Sequence, residues 1–231
     1  MFSFKGVSSD SLGLVFSYFP NLPTGQKRTQ FLTVPGRDGF LTLQDDSLEA
    51  ISLTLEGHTE ASRQDLLAFF SGEGDLVFDV YPDRYYRAMV TKGVEVAYPL
   101  GNSSLIKFLV VLECEPFSRF ISNELVPLSI TDGAFSVNNP YSLKAYPYLK
   151  IAGSGLVTFK RDGLFLCSFD LGSDAGAYVE VDSELNSVFV GASSRERTSK
   201  GKLPVLSPGD NIFSVEGNVT SIEIKYNWRL L

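Results

Sequence analysis

The side chains that could catalyse a reaction or hold a metal ion are few and scattered. The chain of 231 residues contains one histidine, His58, and two cysteines, Cys114 and Cys167. A zinc site needs several histidine or cysteine ligands at close spacing, and neither cysteine has such a neighbour. No serine stands in the Gly-x-Ser-x-Gly pattern that exposes the nucleophile of many hydrolases. The sequence therefore predicts no catalytic, cofactor-binding or metal-binding residue.

Paired carboxylates are the remaining group that could do chemistry. Asp45 and Asp46 are adjacent, and we interpret them as polar residues of a surface turn. Glycoside hydrolases can take their two carboxylates from distant positions, so a cell-wall hydrolase stays open as an alternative. The two cysteines are interpreted as buried free thiols of a protein that folds in a reducing cytoplasm.

Composition and charge exclude several classes of protein. Residues 1–118 carry 9 Lys+Arg and 15 Asp+Glu, and residues 119–231 carry 11 and 12, which together give the net charge of −7. A chain without a basic face does not hold DNA through its phosphates, although an acidic surface can line a passage through which DNA slides. We find no signal peptide and no apolar stretch near the ~18 residues of a membrane span.

Short strands separated by turn residues dominate the pattern. Residues 12–19 and 51–57 are predicted strands, and residues 85–97 and 104–115 are predicted to form a long hairpin with a loop at 98–103. Residues 108–112 are continuously apolar, which predicts a strand covered on both faces. Beyond a boundary near 118, evenly spaced short strands favour an antiparallel sandwich, with an Asp-Gly turn at Asp162-Gly163.

Three local features interrupt this β pattern. Thr59 or Ser62 can cap a helix whose apolar stripe includes Leu66 and Phe69, and glycines end that helix near residue 72. Residues 19–28 are turn-rich and polar, which predicts an exposed loop or arm over 18–30. Residues 34–39 (Val-Pro-Gly-Arg-Asp-Gly) predict a tight turn in which both glycines take positive φ.

Several segments, in order, resemble the distal tail protein (Dit) family of long-tailed bacteriophages. The most specific is Val-Pro-Gly-Arg-Asp-Gly at 34–39. The other similar segments are 2–9 (Phe-Ser-Phe-Lys-Gly-Val-Ser-Ser), 12–14 (Leu-Gly-Leu), 74–76, 82–88 (Pro-Asp-Arg-Tyr-Tyr-Arg-Ala), 113–117 (Glu-Cys-Glu-Pro-Phe), 146–151, 153–155, 181–183 and 206–211. They span nearly the whole chain, and it is their order that makes the match specific.

The resemblance implies a mainly β protein with two domains. Residues 1–118 would form an N-terminal β-barrel or sandwich domain with one α-helix and a protruding arm, and six copies of it would build a ring. Residues 119–231 would form a galectin-like antiparallel β-sandwich. The expected interface residues are Phe2, Phe4, Tyr18, Phe19, Lys27, Arg28, Arg37, Asp38, Arg84, Tyr85 and Tyr86.

The resemblance also implies a role and partners. The chain would be a structural protein, not an enzyme, at the tail tip of a virion, assembled in the host cytoplasm. Its ring would join the tail tube protein to a hub or lysin protein and to receptor-binding proteins, and DNA would pass through the lumen. The alternative is a carbohydrate-binding adhesion module that recognises the host surface, which the sandwich architecture supports only by analogy.

Overall fold

The computed structural model describes residues 1–100, 104–174, 176–195 and 198–231. The fold is mainly β with one α-helix, as predicted. The chain divides into two compact units, Met1–Ile121 together with Leu231, and Ser122–Leu230. No helix of the described residues is long and apolar enough to cross a membrane.

The first unit is built on one curled antiparallel sheet, in the order β2-β1-β7-β8-β10-β6-β3, with β9 paired to β10 and β11 paired to β8. A second sheet contains only β4 and β5. The strands are β1 (Phe2–Phe4), β2 (Val7–Ser8), β3 (Val15–Phe16), β4 (Lys27–Leu32), β5 (Leu41–Leu48), β6 (Ile51–Thr59), β7 (Glu73–Phe78), β8 (Arg84–Val90), β9 (Glu95–Ala97), β10 (Ile106–Cys114) and β11 (Arg119–Phe120).

The core of the first unit lies between this sheet and helix α1 (Arg63–Phe69). Ser62 caps the helix, because its hydroxyl accepts a hydrogen bond from the Asp65 amide at 3.1 Å. Leu66, Phe69 and Phe70 are buried, which confirms the predicted apolar stripe. The core combines aliphatic side chains with a cluster of phenylalanines, and ring contacts join Phe2, Phe4, Phe16, Phe69, Phe70, Phe78 and Phe108.

Two strand predictions in the first unit are wrong. Residues 12–19 do not form one strand, because Ser9–Leu12 is a 3₁₀ turn that ends at Gly13, whose φ is 57°. Residues 85–97 form two strands, β8 and β9, with a break around Gly93, and both pair with β10. Part of the predicted loop at 98–103, residues 101–103, lies outside the described residues.

The prediction that β10 is covered on both faces is also wrong. Phe108, Val110 and Leu112 are buried in the core, whereas Leu109 and Val111 are half-buried on the opposite face of the sheet. A continuous apolar run therefore does not distinguish a strand buried on two faces from one whose outer face carries partly exposed apolar side chains.

The second unit is an antiparallel sandwich made by two long bent strands, β14 and β20. Residues 148–152 of β14 pair with β16, whereas residues 156–161 pair with β15. Its strands are β12 (Val126–Pro127), β13 (Ala134–Asn139), β14 (Tyr148–Arg161), β15 (Leu164–Asp170), β16 (Tyr178–Asp182), β17 (Ser187–Val190), β18 (Ser193–Ser194), β19 (Ser199–Gly201) and β20 (Gly209–Lys225).

Glycines at the bends allow β14 and β20 to stay paired while they turn. Gly217 has a φ of 113°, and a Cβ there would lie 2.5 Å from the carbonyl oxygen of Leu156. A Cβ on Gly153 would lie 2.1 Å from the carbonyl oxygen of Asn218. Only glycine permits this approach of the two backbones, which lets both halves of each strand face the same core.

Candidate functional site

The separate two-stranded sheet forms a hairpin, residues 27–48, which we call the arm. Leu32 pairs with Leu41 and Phe31 pairs with Thr42. The tip is closed by a hydrogen bond of 3.2 Å from the Arg37 amide to the Val34 carbonyl. Gly36 and Gly39 both have a φ of 80°, which confirms the predicted conformation of the tight turn. The arm therefore extends well beyond the predicted 18–30, and the tight turn is its tip.

The arm exposes apolar side chains on both of its faces. The side chains of Phe31 and Phe40 are 63% and 60% exposed, and their rings pack edge to face with centroids 4.7 Å apart. The exposed apolar residues of the arm are Phe31, Leu32, Val34, Phe40, Leu41 and Leu43, and none belongs to the core. A two-stranded hairpin is marginally stable in water, and an exposed apolar patch marks a contact surface. The arm thus has the character of one half of an interface.

Four of the charged residues predicted for the interface lie at the two ends of the arm. Arg37 and Asp38 are exposed at the tip, and within the described part of the chain their side chains have no hydrogen bond or ion pair. Lys27 and Arg28 are exposed at the base, where Arg28 lines a groove together with Glu73. The structure therefore brings Arg37 and Asp38 together with the apolar tip, and separates them from Lys27 and Arg28.

An apolar cleft of about 360 Å³ opens beside the N-terminal strand. Tyr18 and Phe19, two predicted interface residues, are about half exposed on its wall. The Phe19 ring contacts the ring of buried Phe78, with centroids 5.3 Å apart. The residues that line the cleft are Met1, Phe2, Leu14, Val15, Phe16, Tyr18, Phe19, Pro20 and Phe78. Beside it, the terminal ammonium of Met1 lies 3.9 Å from the Asp79 carboxylate, and both groups are largely exposed.

The predicted interface residues Phe2 and Phe4 are core residues, with 3% and 0% of their surface exposed. The Phe4 side chain is fully enclosed, so it can affect an interface only through the sheet that it holds in place. Phe2 reaches the floor of the apolar cleft. The alternating pattern Phe-Ser-Phe predicts such inward-facing rings when one face of a strand is buried.

Arg84, Tyr85 and Tyr86 lie at the start of β8 and are partly buried. The Arg84 guanidinium lies 5.0 Å from the Tyr81 ring centroid and donates to the Asp83 carboxylate, which lowers the pKa of Asp83. Burial raises the pKa of both tyrosines. Arg84 is therefore already engaged within its own unit, in contrast to Arg37.

The face of the first sheet opposite the core is acidic. Cross-strand pairing places Met89 between Glu113 and Glu73. It likewise places Leu109 between Glu56 and Glu95. The same face carries the cations Arg87, Lys107 and Arg119; Asp75 pairs with Arg87, and Arg119 forms an ion pair with Glu115. We call this the acidic face; its carboxylates are Glu56, Glu73, Asp75, Glu95, Glu113 and Glu115.

Among the residues that the structure describes, the groups that could do chemistry lie apart from one another. No group of three or more metal-ligating side chains occurs in the described residues. His58 lies in β6 beside Lys107 and Val15. Burial raises the pKa of both Cys114 and Cys167 to about 12, so both thiols stay protonated and unreactive near neutral pH.

The outer face of the second unit carries aromatic rings that could have served as a sugar platform. Tyr148 donates a hydrogen bond of 2.7 Å to Glu180, and burial followed by this bond raises the pKa of Tyr148. However, the Lys225 ammonium lies 5.7 Å from the Tyr148 ring centroid, and that of Lys150 lies 5.1 Å from the Tyr178 ring centroid. Lysines thus occupy the ring positions on which a sugar would stack.

Comparison with solved structures identifies a protein of the same fold. The crystal structure of the phage SPP1 Dit protein (gp 19.1), described as a paradigm of the hub adsorption apparatus of phages that infect Gram-positive bacteria, aligns with a TM-score of 0.73. The alignment covers 97% of each chain at 11% sequence identity. No protein-family model and no curated protein sequence matches. At this identity the likeness establishes the fold, and the chain therefore shares the fold of a distal tail protein across both of its units.

Proposed function

We propose that the protein is a structural distal tail protein that forms a ring at the tail tip of a long-tailed phage. The ring joins the tail tube to the baseplate or adhesion apparatus and lets DNA pass. The observation that carries this proposal is the arm, with apolar side chains exposed on both faces, on a chain whose whole length shares the fold of a phage hub protein.

The arm supports assembly because, within the described residues, its exposed apolar side chains belong to neither hydrophobic core. Burying exposed apolar surface contributes roughly 25 cal/mol per Å², so six apolar side chains gain several kcal/mol when a partner covers them. In a homo-oligomer, a projecting element that binds a different surface of the next copy makes a heterologous contact, which forms a ring when the rotation closes. We propose a ring of six copies.

The acidic face supports the passage of DNA through the ring. Carboxylates outnumber cations on this sheet face and would repel phosphates if the face lines the lumen. In this proposal the first unit forms the ring, and the second unit, a galectin-like sandwich, carries the adhesion or baseplate proteins. The tail tube protein and a hub or lysin protein are the other partners, and the protein is made in the host cytoplasm and has no enzymatic activity.

The alternative of a carbohydrate-binding module receives less support from the structure. One aromatic platform that it could use is the outer face of the second unit, and there a lysine ammonium lies over the ring of Tyr148 and another over the ring of Tyr178. A sugar would have to displace both ammonium groups before it could stack. A screen of the purified protein against host cell-wall glycans tests this, and binding in that screen would favour the alternative.

The test of the proposed function is the mass of the purified protein over a range of concentrations. Light scattering should give six times the chain mass of 25.4 kDa, and electron micrographs of the same sample should contain rings with a central hole. A protein that remains a monomer at every concentration, and that also fails to bind purified tail tubes, would overturn the proposal.

A further inference from the structure

We infer that the apolar cleft of one copy receives the arm tip of a neighbouring copy, with the Phe31–Phe40 ring pair as the inserted group. This inference rests on the proposed ring and names the two surfaces that close it. The arm tip and the cleft are the two exposed apolar features of the first unit whose shapes are opposite, one projecting and one concave.

The cleft has the size and lining for an aromatic plug. Its volume of about 360 Å³ lies at the lower end of the ~300–1,000 Å³ typical of sites that enclose a small organic group. The exposed walls are formed by Val15, Tyr18 and Phe19, and the floor by buried Phe2 and Phe78. Aromatic rings pair favourably edge to face with centroids about 4.5–7 Å apart, so a wall of phenylalanines suits an inserted phenylalanine.

The arm of the same copy does not fill this cleft. The ring contact of Phe31 and Phe40 joins them to each other, and both stay about 60% exposed. Tyr18 and Phe19 likewise remain about half exposed. Both surfaces are therefore available to a second molecule within the described residues.

Charge complementarity selects a second copy as that molecule. The arm tip presents Arg37 and Asp38 side by side, and neither side chain has a partner within the described residues. The cleft presents the Met1 ammonium beside the Asp79 carboxylate, a loose pair 3.9 Å apart. When the tip enters the cleft, Arg37 can face the exposed carboxylate of Asp79.

The consequence is a directional contact. Each copy carries one projection and one cleft on different parts of the first unit, so the contact is heterologous and leaves no unmatched surface once a ring closes. The geometry also accounts for the interface prediction in part: Tyr18, Phe19, Arg37 and Asp38 belong to this contact, whereas buried Phe4 does not.

Disulfide trapping between two variants, each with one added cysteine, tests the contact. Phe40→Cys and Phe19→Cys chains with different C-terminal tags are mixed and oxidised with a mild copper catalyst in air. The native thiols are buried with a pKa of about 12, so the background is low. We expect a disulfide dimer that carries both tags, at least about tenfold above a control in which Leu164→Cys replaces Phe19→Cys. Leu164 is 74% exposed on the second unit, so oxidant access is matched.

A second pair protects the test against a folding defect in the cleft variant. Val15→Cys, 52% exposed on the same cleft, should also cross-link to Phe40→Cys. The mass of each mixture before oxidation separates the two proposals. Hexamers without a mixed-tag dimer from either pair would overturn this inference and leave the ring standing. Monomers without any mixed-tag dimer would overturn the inference and count against the ring as well.

Discussion

The arm and the β14–β15 hairpin differ in whether their apolar side chains are buried by their own chain. In β14–β15, Phe159 and Cys167 are paired neighbours with no exposed surface, and Phe159 packs against Phe135 and Phe169. In the arm, the rings of Phe31 and Phe40 contact each other, and both residues stay about 60% exposed. The first hairpin is stabilised by its own core, so the second requires a partner to reach comparable stability.

This comparison separates folding residues from assembly residues. Substitutions in β14–β15 should lower the free energy of unfolding, whereas substitutions in the arm should change oligomeric state while the monomer stays folded. The same separation holds inside the first unit, where Phe4 belongs to the core and Tyr18 to an exposed cleft.

Thiol reactivity should show the largest contrast. At pH 8 a pKa of about 12 leaves Cys114 and Cys167 almost fully protonated, so the wild-type protein should react with a disulfide reagent roughly a thousandfold more slowly than Phe40→Cys, whose thiol is expected near ~8.5. In the unfolded chain these thiols ionise above about pH 9, whereas in the folded chain burial keeps them protonated. Their contribution to the free energy of unfolding is therefore complete below pH 9 and is lost as the pH rises towards 12. Fast labelling of the wild type would contradict this burial.

The next contrast is in stability. Phe159→Ala should lower the free energy of unfolding by about 3–5 kcal/mol, because it removes a fully buried ring from the core of the second unit. Phe31→Ala should change it by less than about 0.5 kcal/mol. Urea unfolding of both variants at concentrations below assembly measures the difference. An equal decrease in the free energy of unfolding of both variants would mean that the arm is buried in its own chain.

A smaller effect is expected at the bend of β20. Gly217→Ala should cost roughly 1–3 kcal/mol, because φ is 113° and the new methyl group would lie 2.5 Å from the Leu156 carbonyl oxygen. Gly163→Ala is the control, since its φ of 77° carries strain of about 1 kcal/mol in open space. The Tm of Gly217→Ala should therefore be lower than that of Gly163→Ala, and the reverse order would contradict the bent-strand account.

The sequence predicts those structural features that depend on residues close together in the chain. The helix cap at Ser62, the Asp162-Gly163 turn and the glycines at 36 and 39 follow from residue types at fixed spacing, and the structure confirms them. The extent of the arm does not follow, because Phe31 and Leu41 have the pattern of any strand, and only the fold shows that no core covers them.

The cleft is the least predictable feature. Phe2, Val15 and Phe78 come from three separate segments, and their approach depends on the pairing of β3 with β6 and of β7 with β1. The resemblance of the sequence to distal tail proteins predicts Tyr18 and Phe19 as interface residues, but nothing in their spacing predicts a cavity.

The smallest effect is expected from charge. Glu56→Lys combined with Glu113→Lys on the acidic face should slow genome delivery several-fold while the mass of the ring stays unchanged, because phosphates are attracted to the altered lumen. Glu124→Lys with Asp174→Lys, two exposed carboxylates of the second unit, gives the same change in net charge and should leave delivery unchanged. Equal delivery rates in infections with the two variants would place the acidic face outside the lumen.

The most direct test of the central claim is the mass of a variant that carries both Phe31→Ser and Phe40→Ser. Its control carries Leu164→Ser and Phe165→Ser, a matched loss of two exposed apolar side chains from the β14–β15 hairpin. The account predicts a folded monomer for the arm variant and a hexamer for the control by light scattering. A hexamer of the arm variant, with the stability of the wild type, would contradict the claim that the arm assembles the ring.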